Sequence, residues 1–272
     1  MKFADLHIHS NFSDSSYTLR DIFKRAHQEG FSCISIVDHD TLDVYFTEEI
    51  DELSKEYSLE YIKGIELSSQ LGEEEVHLLG YFPEGEVSDS FLNILKRLKE
   101  DRLVRILEMI DLLNNLGIKL DKEEFKEFVG SASLSRLHLA VFLKHKKIVG
   151  DIKEAFSKYL APGRPAYICR FRYSFEKGLN LLKSAKALVF LAHPINFSYS
   201  QIESLINLGL DGIEAFYPNY SPEAITNYQR LASKHNLLIT GGSDFHGEYK
   251  DNTYIGRIKL PYFYVEKIKN AF

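Results

Sequence analysis

The tightest constraint on the fold of this 272-residue chain is a repeating alternation of short apolar runs with amphipathic stretches. Runs of strand length lie at residues 3–9, 32–39, 61–69, 75–82, 187–194, 212–217 and 237–246, with a further candidate at 254–260. Helical patterns fall between several of them, at 18–30, 45–57, 200–210 and 221–236. The last of these opens with Ser221 followed by Pro222 at the first helical position, and the first ends in Gly30. Strand, helix, strand alternation predicts parallel β/α units. From about residue 87 to 163 the pattern is helical only, which predicts an insertion lying over one face of the sheet structure. The organisation expected is therefore a β/α domain of residues 1–86 and 164–272 carrying a helical cap of residues 87–163.

The histidines are placed as the apolar runs are. Of ten in the chain, His7, His9, His39, His77, His193 and His246 lie within or at the end of an expected strand. His7 and His9 alternate along one strand and so face the same side, which lets two imidazoles approach one ion. Carboxylates accompany them, with Asp14 on the following loop, Glu66 in GIELS and Asp244 two residues before His246. Parallel β/α architectures gather the carboxyl ends of their strands on one face, where active sites are built. Nine candidate ligands exceed the needs of one tetrahedral ion, and a mixture of imidazole and carboxylate suits Mn, Zn or Fe. A centre of two or three divalent metal ions is expected. His27, His145 and His235 sit on helical patterns among charged neighbours and are expected to be surface residues.

The ordered segments DLHIHSNFSD, VDHD, GIELS, VHLLGYF, LAHP and GGSDFHG resemble the PHP (polymerase and histidinol phosphatase) family of metal-dependent phosphoesterases over nearly the whole chain. The helical stretch, through SRLHLAVFL and EAFSKYLAPGRPAYI, is similar to the insertion of its small bacterial nucleotide phosphoesterases. The resemblance implies a distorted, seven-stranded, TIM-like β/α barrel with a trinuclear metal centre. It further implies a first ion on His7, His9, Glu66 and Asp244, a second on Glu66, His77 and His193, and a third on Asp14, His39 and His246. In that branch an Arg-x-His pair contacts the substrate phosphate, which puts Arg136 and His138 in the site, and a guanidinium can grip phosphate bidentately. The chain departs from the branch at Leu137, where Pro is usual, and at Tyr220, where a histidine associated with substrate binding is common. Ser15 and Val37 also differ from the usual residues without removing a ligand.

The expected chemistry is hydrolysis of nucleotide phosphate esters by a hydroxide bridging two ions. Arg136 would neutralise phosphoryl charge, and His193, Asp244 or a metal-bound water would protonate the leaving alkoxide. The implied substrates are nucleoside 3′,5′-bisphosphates, losing the 3′-phosphate, and short oligoribonucleotides trimmed from the 5′ end. Histidinol phosphate is the alternative substrate, and a non-catalytic metal-stabilised binding module the alternative class. Tyr167, Phe216, Tyr217 and Tyr220 offer aromatic faces near the site segments for a stacked base.

A net charge of −6 argues against a duplex nucleic-acid partner, although residues 91–165 hold 15 Lys and Arg against 10 Asp and Glu. Arg102, Arg105 and Arg164 would contribute to that local excess or lie on the surface. The N-terminus lacks a signal-peptide pattern and no run is long and apolar enough to span a membrane, so a cytoplasmic location is expected. Cys33 and Cys169 both lie in apolar segments and are expected to be buried thiols.

Overall fold

The structure is a computed structural model that describes residues 2–82, 87–169, 172–250 and 253–272. The expected boundary at residue 86 lies outside the described residues. In chain order the first half comprises β1 (Phe3–Ile8), α1 (Leu19–Gln28), β2 (Cys33–Ile36), α2 (Glu49–Tyr57), β3 (Glu60–Tyr61), β4 (Gly64–Leu71) and β5 (Glu74–Tyr81). The helices α3 (Asp89–Asn115), α4 (Lys122–Val129), α5 (Arg136–His145) and α6 (Ile152–Ala155) follow. The second half comprises β6 (Tyr173–Ser174), α7 (Phe175–Ser184), β7 (Leu188–Leu191), α8 (Tyr199–Ile206), β8 (Gly212–Phe216), α9 (Pro222–Lys234), β9 (Leu238–Gly241), β10 (Leu260–Pro261) and α10 (Tyr262–Lys269).

The strands form two ladders, β10-β1-β2-β3 and β6-β4-β5-β7-β8-β9. Single parallel bridges join them on both sides, Ile8 to Phe245 and His39 to Glu66. Bonds from His9 N to Phe245 O and from Glu66 N to Asp38 O support those junctions. The architecture is a distorted α/β barrel in which pairing between the two ladders is by isolated bridges rather than by continuous ladders.

Not all units are parallel, contrary to the sequence pattern. The connection from β4 to β5 is the two-residue turn Gly72-Glu73, with Leu71 opposite Glu74 and Gly72 at φ +61°. So short a link can only return the chain antiparallel. β5 is then antiparallel to β7 as well, while β7, β8 and β9 run parallel. The candidate strand at 254–260 is instead a turn, because Gly256 sits at φ +106°, and only Leu260–Pro261 pairs with β1. β6, α7 and α10 carried no sequence expectation.

α3 is 27 residues long, about 40 Å at 1.5 Å per residue. Its first half buries Phe91, Leu95 and Leu98 in the barrel core. Its second half buries Ile106, Met109, Ile110 and Leu113 in a separate core with Phe125, Phe142 and Leu160. Between the two apolar stretches lie Arg102 and Arg105, 3% and 8% exposed. Arg102 is thus no surface residue, whereas Arg164 is exposed. Cys33 is buried but Cys169 is exposed, correcting the expectation for the second thiol. Among the described residues, no helix is long and apolar enough to cross a membrane.

Candidate metal centre

Several ligand candidates lie just beyond the ends of their strands. β2 ends at Ile36 and β9 at Gly241, so the DHD and SDFH segments are free to turn inward. Gly242 permits the second turn, because a Cβ there would lie 2.3 Å from the His7 amide nitrogen. His77 arrives differently. It sits opposite Ser68 in the first half of the reversed strand β5, which brings it to the same end as the carboxyl termini of the parallel strands.

Eight of the nine candidates converge in overlapping groups, and His193 meets them through Glu66. His7, His9, Glu66 and Asp244 form one, and His9, Asp14, His39 and His246 a second. His39, Glu66 and His77 form a third. Glu66 is the centre, with Oε2 3.1 Å from His9 Nε2 and 3.1 Å from His39 Nδ1. Its Oε1 lies 2.8 Å from His77 Nδ1 and 2.9 Å from His193 Nε2. His9 thus faces two groups, and His39 stands with Glu66 and His77 where the resemblance implied His193.

The donor set fits divalent cations. Buried atoms without a hydrogen bond include His7 Nε2, both ring nitrogens of His9, Asp14 Oδ1, His39 Nδ1, Glu66 Oε2 and His77 Nδ1. Each orphaned buried polar atom costs about 1–3 kcal/mol, and a cation is the common partner that would satisfy them. Tautomers are fixed accordingly: His7 Nδ1 donates to Glu214 Oε1 at 2.9 Å, and His246 Nδ1 to the Asp244 carbonyl at 2.9 Å. The opposite nitrogen of each ring then presents a lone pair to the cluster.

Electrostatics agree. Burial favours neutral carboxyls, yet His39 and His246 hold Asp14 well below the carboxylate range, and His77, His39 and His7 do the same for Glu66. Burial opposes charge on His9 and His77, but Asp244 and Glu66 carry His9 up to about 9, and Glu66 and Glu75 carry His77 up to about 10. Burial pushes His39 down to about 3 and, with His9, pushes His246 down to about 4. The buried carboxylates thus favour positive charge within the cluster, which metal ions would supply.

Two ligand candidates carry backbone strain. His193 and Asp244 adopt φ of +23° and +49°, a region that L residues avoid. Glu214 Oε2 holds the first by accepting from His193 N at 2.7 Å, and the His7 carbonyl holds the second by accepting from Asp244 N at 2.8 Å. Sequence reasoning missed Glu214. The available signal was a charged residue inside the short, fully buried apolar run GIEA. Substituting Glu214→Gln is expected to lower metal affinity about 10–100-fold, as loss of an imidazole's outer partner does. Metal titration by calorimetry checks this, and unchanged affinity would refute the positioning role. Tyr217, expected only as an aromatic face for a stacked base, donates to Asp244 Oδ2 at 2.8 Å, and sequence reasoning missed Lys250, paired with the same carboxylate.

The cluster opens into a cleft of about 400 Å³ whose lining includes Asp14, His39 and His77 together with Arg105, Arg136 and Arg172. Arg136 begins α5 and packs its guanidinium between Phe156 and Tyr167, 5.6 and 5.4 Å from the ring centroids. His138 accepts the Ser135 amide through Nδ1 as part of a capping box, and Asp14 is a charge neighbour. The Tyr220 ring packs at a tilt against Tyr217 and Tyr228, with centroids 5.4 and 4.8 Å away. His27 and His145 are exposed and His235 half-buried, all away from the cluster.

The chain is 28% identical over 249 residues to a 3′,5′-nucleoside bisphosphate phosphatase of Chromobacterium violaceum, covering 89% of this chain and 86% of that one. It is 28% identical to a phosphoribosyl 1,2-cyclic phosphate 1,2-diphosphodiesterase of Eggerthella lenta, over 93% and 97% of the two chains. It is 26% identical to the 5′-3′ exoribonuclease Rnm of Escherichia coli, over 89% and 84%. A solved structure from Bifidobacterium adolescentis, named as a candidate metal-dependent phosphoesterase, superposes with a TM-score of 0.87 at 26% identity, over 98% and 95%. An amidohydrolase structure from Chromobacterium violaceum superposes with a TM-score of 0.81 at 26% identity, over 98% and 96%. A family model described as the PHP domain matches residues 5–171, more than half of the chain, which therefore belongs to the PHP family of metal-dependent phosphoesterases.

Proposed function

We propose that the chain hydrolyses nucleotide phosphate esters, removing the 3′-phosphate of nucleoside 3′,5′-bisphosphates or trimming short oligoribonucleotides from the 5′ end. The observation that carries this reading is the direct opening of the ligand cluster onto an arginine-lined cleft. His7, His9, Asp14, His39, Glu66, His77, His193, Asp244 and His246 would hold two or three ions of Mn, Zn or Fe. Such ions supply Lewis acidity toward phosphoryl oxygens and a water nucleophile near neutral pH.

The chain's own residues provide the rest. Arg136, fixed by its two flanking rings and by a bond to the Leu160 carbonyl, offers remaining N–H donors to a phosphoryl group. Asp244 accepts from Tyr217 and pairs with Lys250; burial opposes its charge, but Lys250 and His246 hold it far below the carboxylate range. It therefore serves as a ligand rather than as a proton donor to the leaving group, and that role falls to His193 or solvent. His138 acts by fixing the start of α5, and Tyr220 by supporting Tyr217. The names of the Chromobacterium violaceum and Escherichia coli relatives support the nucleotide class.

The test is a set of parallel assays with manganese-loaded protein. Adenosine 3′,5′-bisphosphate or a short 5′-phosphorylated oligoribonucleotide is expected to show kcat/KM at least about 100-fold above that for histidinol phosphate, the scale of one missing charge-assisted contact set. Preference for histidinol phosphate, or no turnover of any of the three, would overturn the proposal.

A further inference from the structure

Two of the ligand groups are built by different means. His7 and Glu66 sit inside β1 and β4, and the His7 carbonyl holds Asp244, so strand pairing places the group of His7, His9, Glu66 and Asp244. Asp14 has no such support. It lies within residues 9–18, which belong to no helix or strand, and yet it is buried and meets imidazoles from three other places in the chain. Its Oδ2 is 3.9 Å from His39 Nε2, and its Oδ1 is 3.4 Å from His246 Nε2 and 3.9 Å from His9 Nδ1. Oδ1 is among the buried atoms with no hydrogen bond.

Asp38 supplies what strand pairing does not. Its Oδ1 accepts from Ser10 N at 2.8 Å and from the Ser13 hydroxyl, and its Oδ2 accepts from the Ser10 hydroxyl at 2.6 Å. The Ser10 hydroxyl in turn accepts from Phe12 N at 3.1 Å, and the Ser10 carbonyl from Ser13 N at 3.0 Å and Ser15 N at 3.2 Å. The loop is thus wound round one fully buried carboxylate, whose charge is tolerable there because these donors face it. Asp38 also precedes His39, and its carbonyl accepts from Glu66 N at 3.3 Å. One residue therefore fixes His39 through the chain and Asp14 through its side chain. Beyond Asp14, the Ser16 hydroxyl accepts from Glu248 N at 2.9 Å and ties the loop to the His246 segment.

We infer that Asp38 is the positioning residue that assembles His9, Asp14, His39 and His246 into one ion site, whereas the site on His7, His9, Glu66 and Asp244 stands without it. The inference deepens the proposed metal-dependent function and rests on the ions named there. It makes one ion of the centre separately removable by a side chain that is not a ligand.

Manganese titration by calorimetry, with metal content by elemental analysis, tests it on Asp38→Asn. Asn keeps the acceptor for Ser10 N and the Ser13 hydroxyl but turns an NH₂ group toward the Ser10 hydroxyl. One ion is expected to bind about 10–100-fold more weakly, with the affinity of the others held within about threefold. His246→Ala, which removes a ligand of the same group, is expected to lose the same ion, so the double variant should lose no more than His246→Ala alone. Ser13→Ala, which takes away only one donor, is expected to act in the same direction by a smaller factor. Turnover of adenosine 3′,5′-bisphosphate by Asp38→Asn is expected to need correspondingly more manganese and to return toward the parent kcat at saturation. Thermal melting of the metal-free variants verifies that they are folded. Unchanged manganese binding in Asp38→Asn, equal weakening of every ion, additive losses in the double variant, or no ion lost in His246→Ala would each overturn the assignment. A selective, non-additive loss in a protein that turns over no nucleotide would instead overturn the nucleotide reading and leave the role of Asp38 standing.

Discussion

Replacing Glu66 with Gln is expected to deplete the centre of metal and to cut turnover of phosphate esters by at least about 10³-fold, since removing a mere outer partner already costs about 10–100-fold. Glu66 is fully buried in β4 and lies within 3.4 Å of ring nitrogens from His7, His9, His39, His77 and His193. Two of the three ligand groups include it, as is also true of His9 and His39, and its two oxygens meet five imidazoles besides. Gln keeps the shape but removes the negative charge and turns an NH₂ donor toward imidazoles or cations that need an acceptor. Elemental analysis of purified protein and steady-state kinetics in added manganese check the two halves of the expectation. Full metal content together with turnover within tenfold of the parent would refute the central role of Glu66. Because a mispaired imidazole cluster also destabilises the apo protein, circular dichroism of the variant separates unfolding from simple loss of metal.

What sequence made legible here was whatever is local. His7 and His9 alternate on one strand, Asp244 and His246 are spaced the same way, and each pair reads as a ligand motif before any tertiary information is used. The strand set and the helical stretch from 87 to 163 follow from periodicity for the same reason. The direction of β5 was harder, because reversal depends on a two-residue turn whose only local sign is Gly72. The turn at 254–260 was misread as a strand since its alternation is that of a strand, and only the positive φ of Gly256 breaks it. Partners distant in sequence were not legible at all. Glu214 meets His7 across 207 positions, and Arg102 meets Asp40 across 62. In both cases the charged residue makes sense only once its partner is beside it, since neither is tolerable in a core alone. Cys169 was misplaced by the apolar look of AYICRF, whose exposure is set by what packs over it.

Arg102→Met is expected to lower the unfolding free energy by about 3–5 kcal/mol, the usual result of removing one partner of a buried ion pair. Asp40 is wholly buried and at φ +52°, with Oδ2 accepting from Arg102 Nε at 2.9 Å and Nη2 at 2.7 Å. Its Oδ1 accepts from the Ser68 amide at 2.8 Å, which ties the loop after β2 to β4. Without the guanidinium, the buried Asp40 would lose both bonds to its Oδ2, and the Leu134 carbonyl would lose its 2.7 Å donor. Asn at position 40 tolerates the left-handed backbone and still accepts from Ser68, so adding Asp40→Asn to Arg102→Met should restore part of the loss, a non-additive outcome. Urea denaturation followed by circular dichroism reads the effect as a shifted midpoint at unchanged slope. A loss below about 1 kcal/mol, within the range of surface pairs, would refute the clamp. The position of the pair gives it a second consequence. Arg102 stands where α3 passes from the barrel core to the helical core, one turn before Arg105, so loosening the joint also moves the arginine wall relative to the ligand cluster. Arg102→Met should therefore raise KM for a nucleotide substrate although four of the five Arg102 N–H donors are taken by the protein itself, whereas a purely thermodynamic role would leave KM unchanged below the melting temperature.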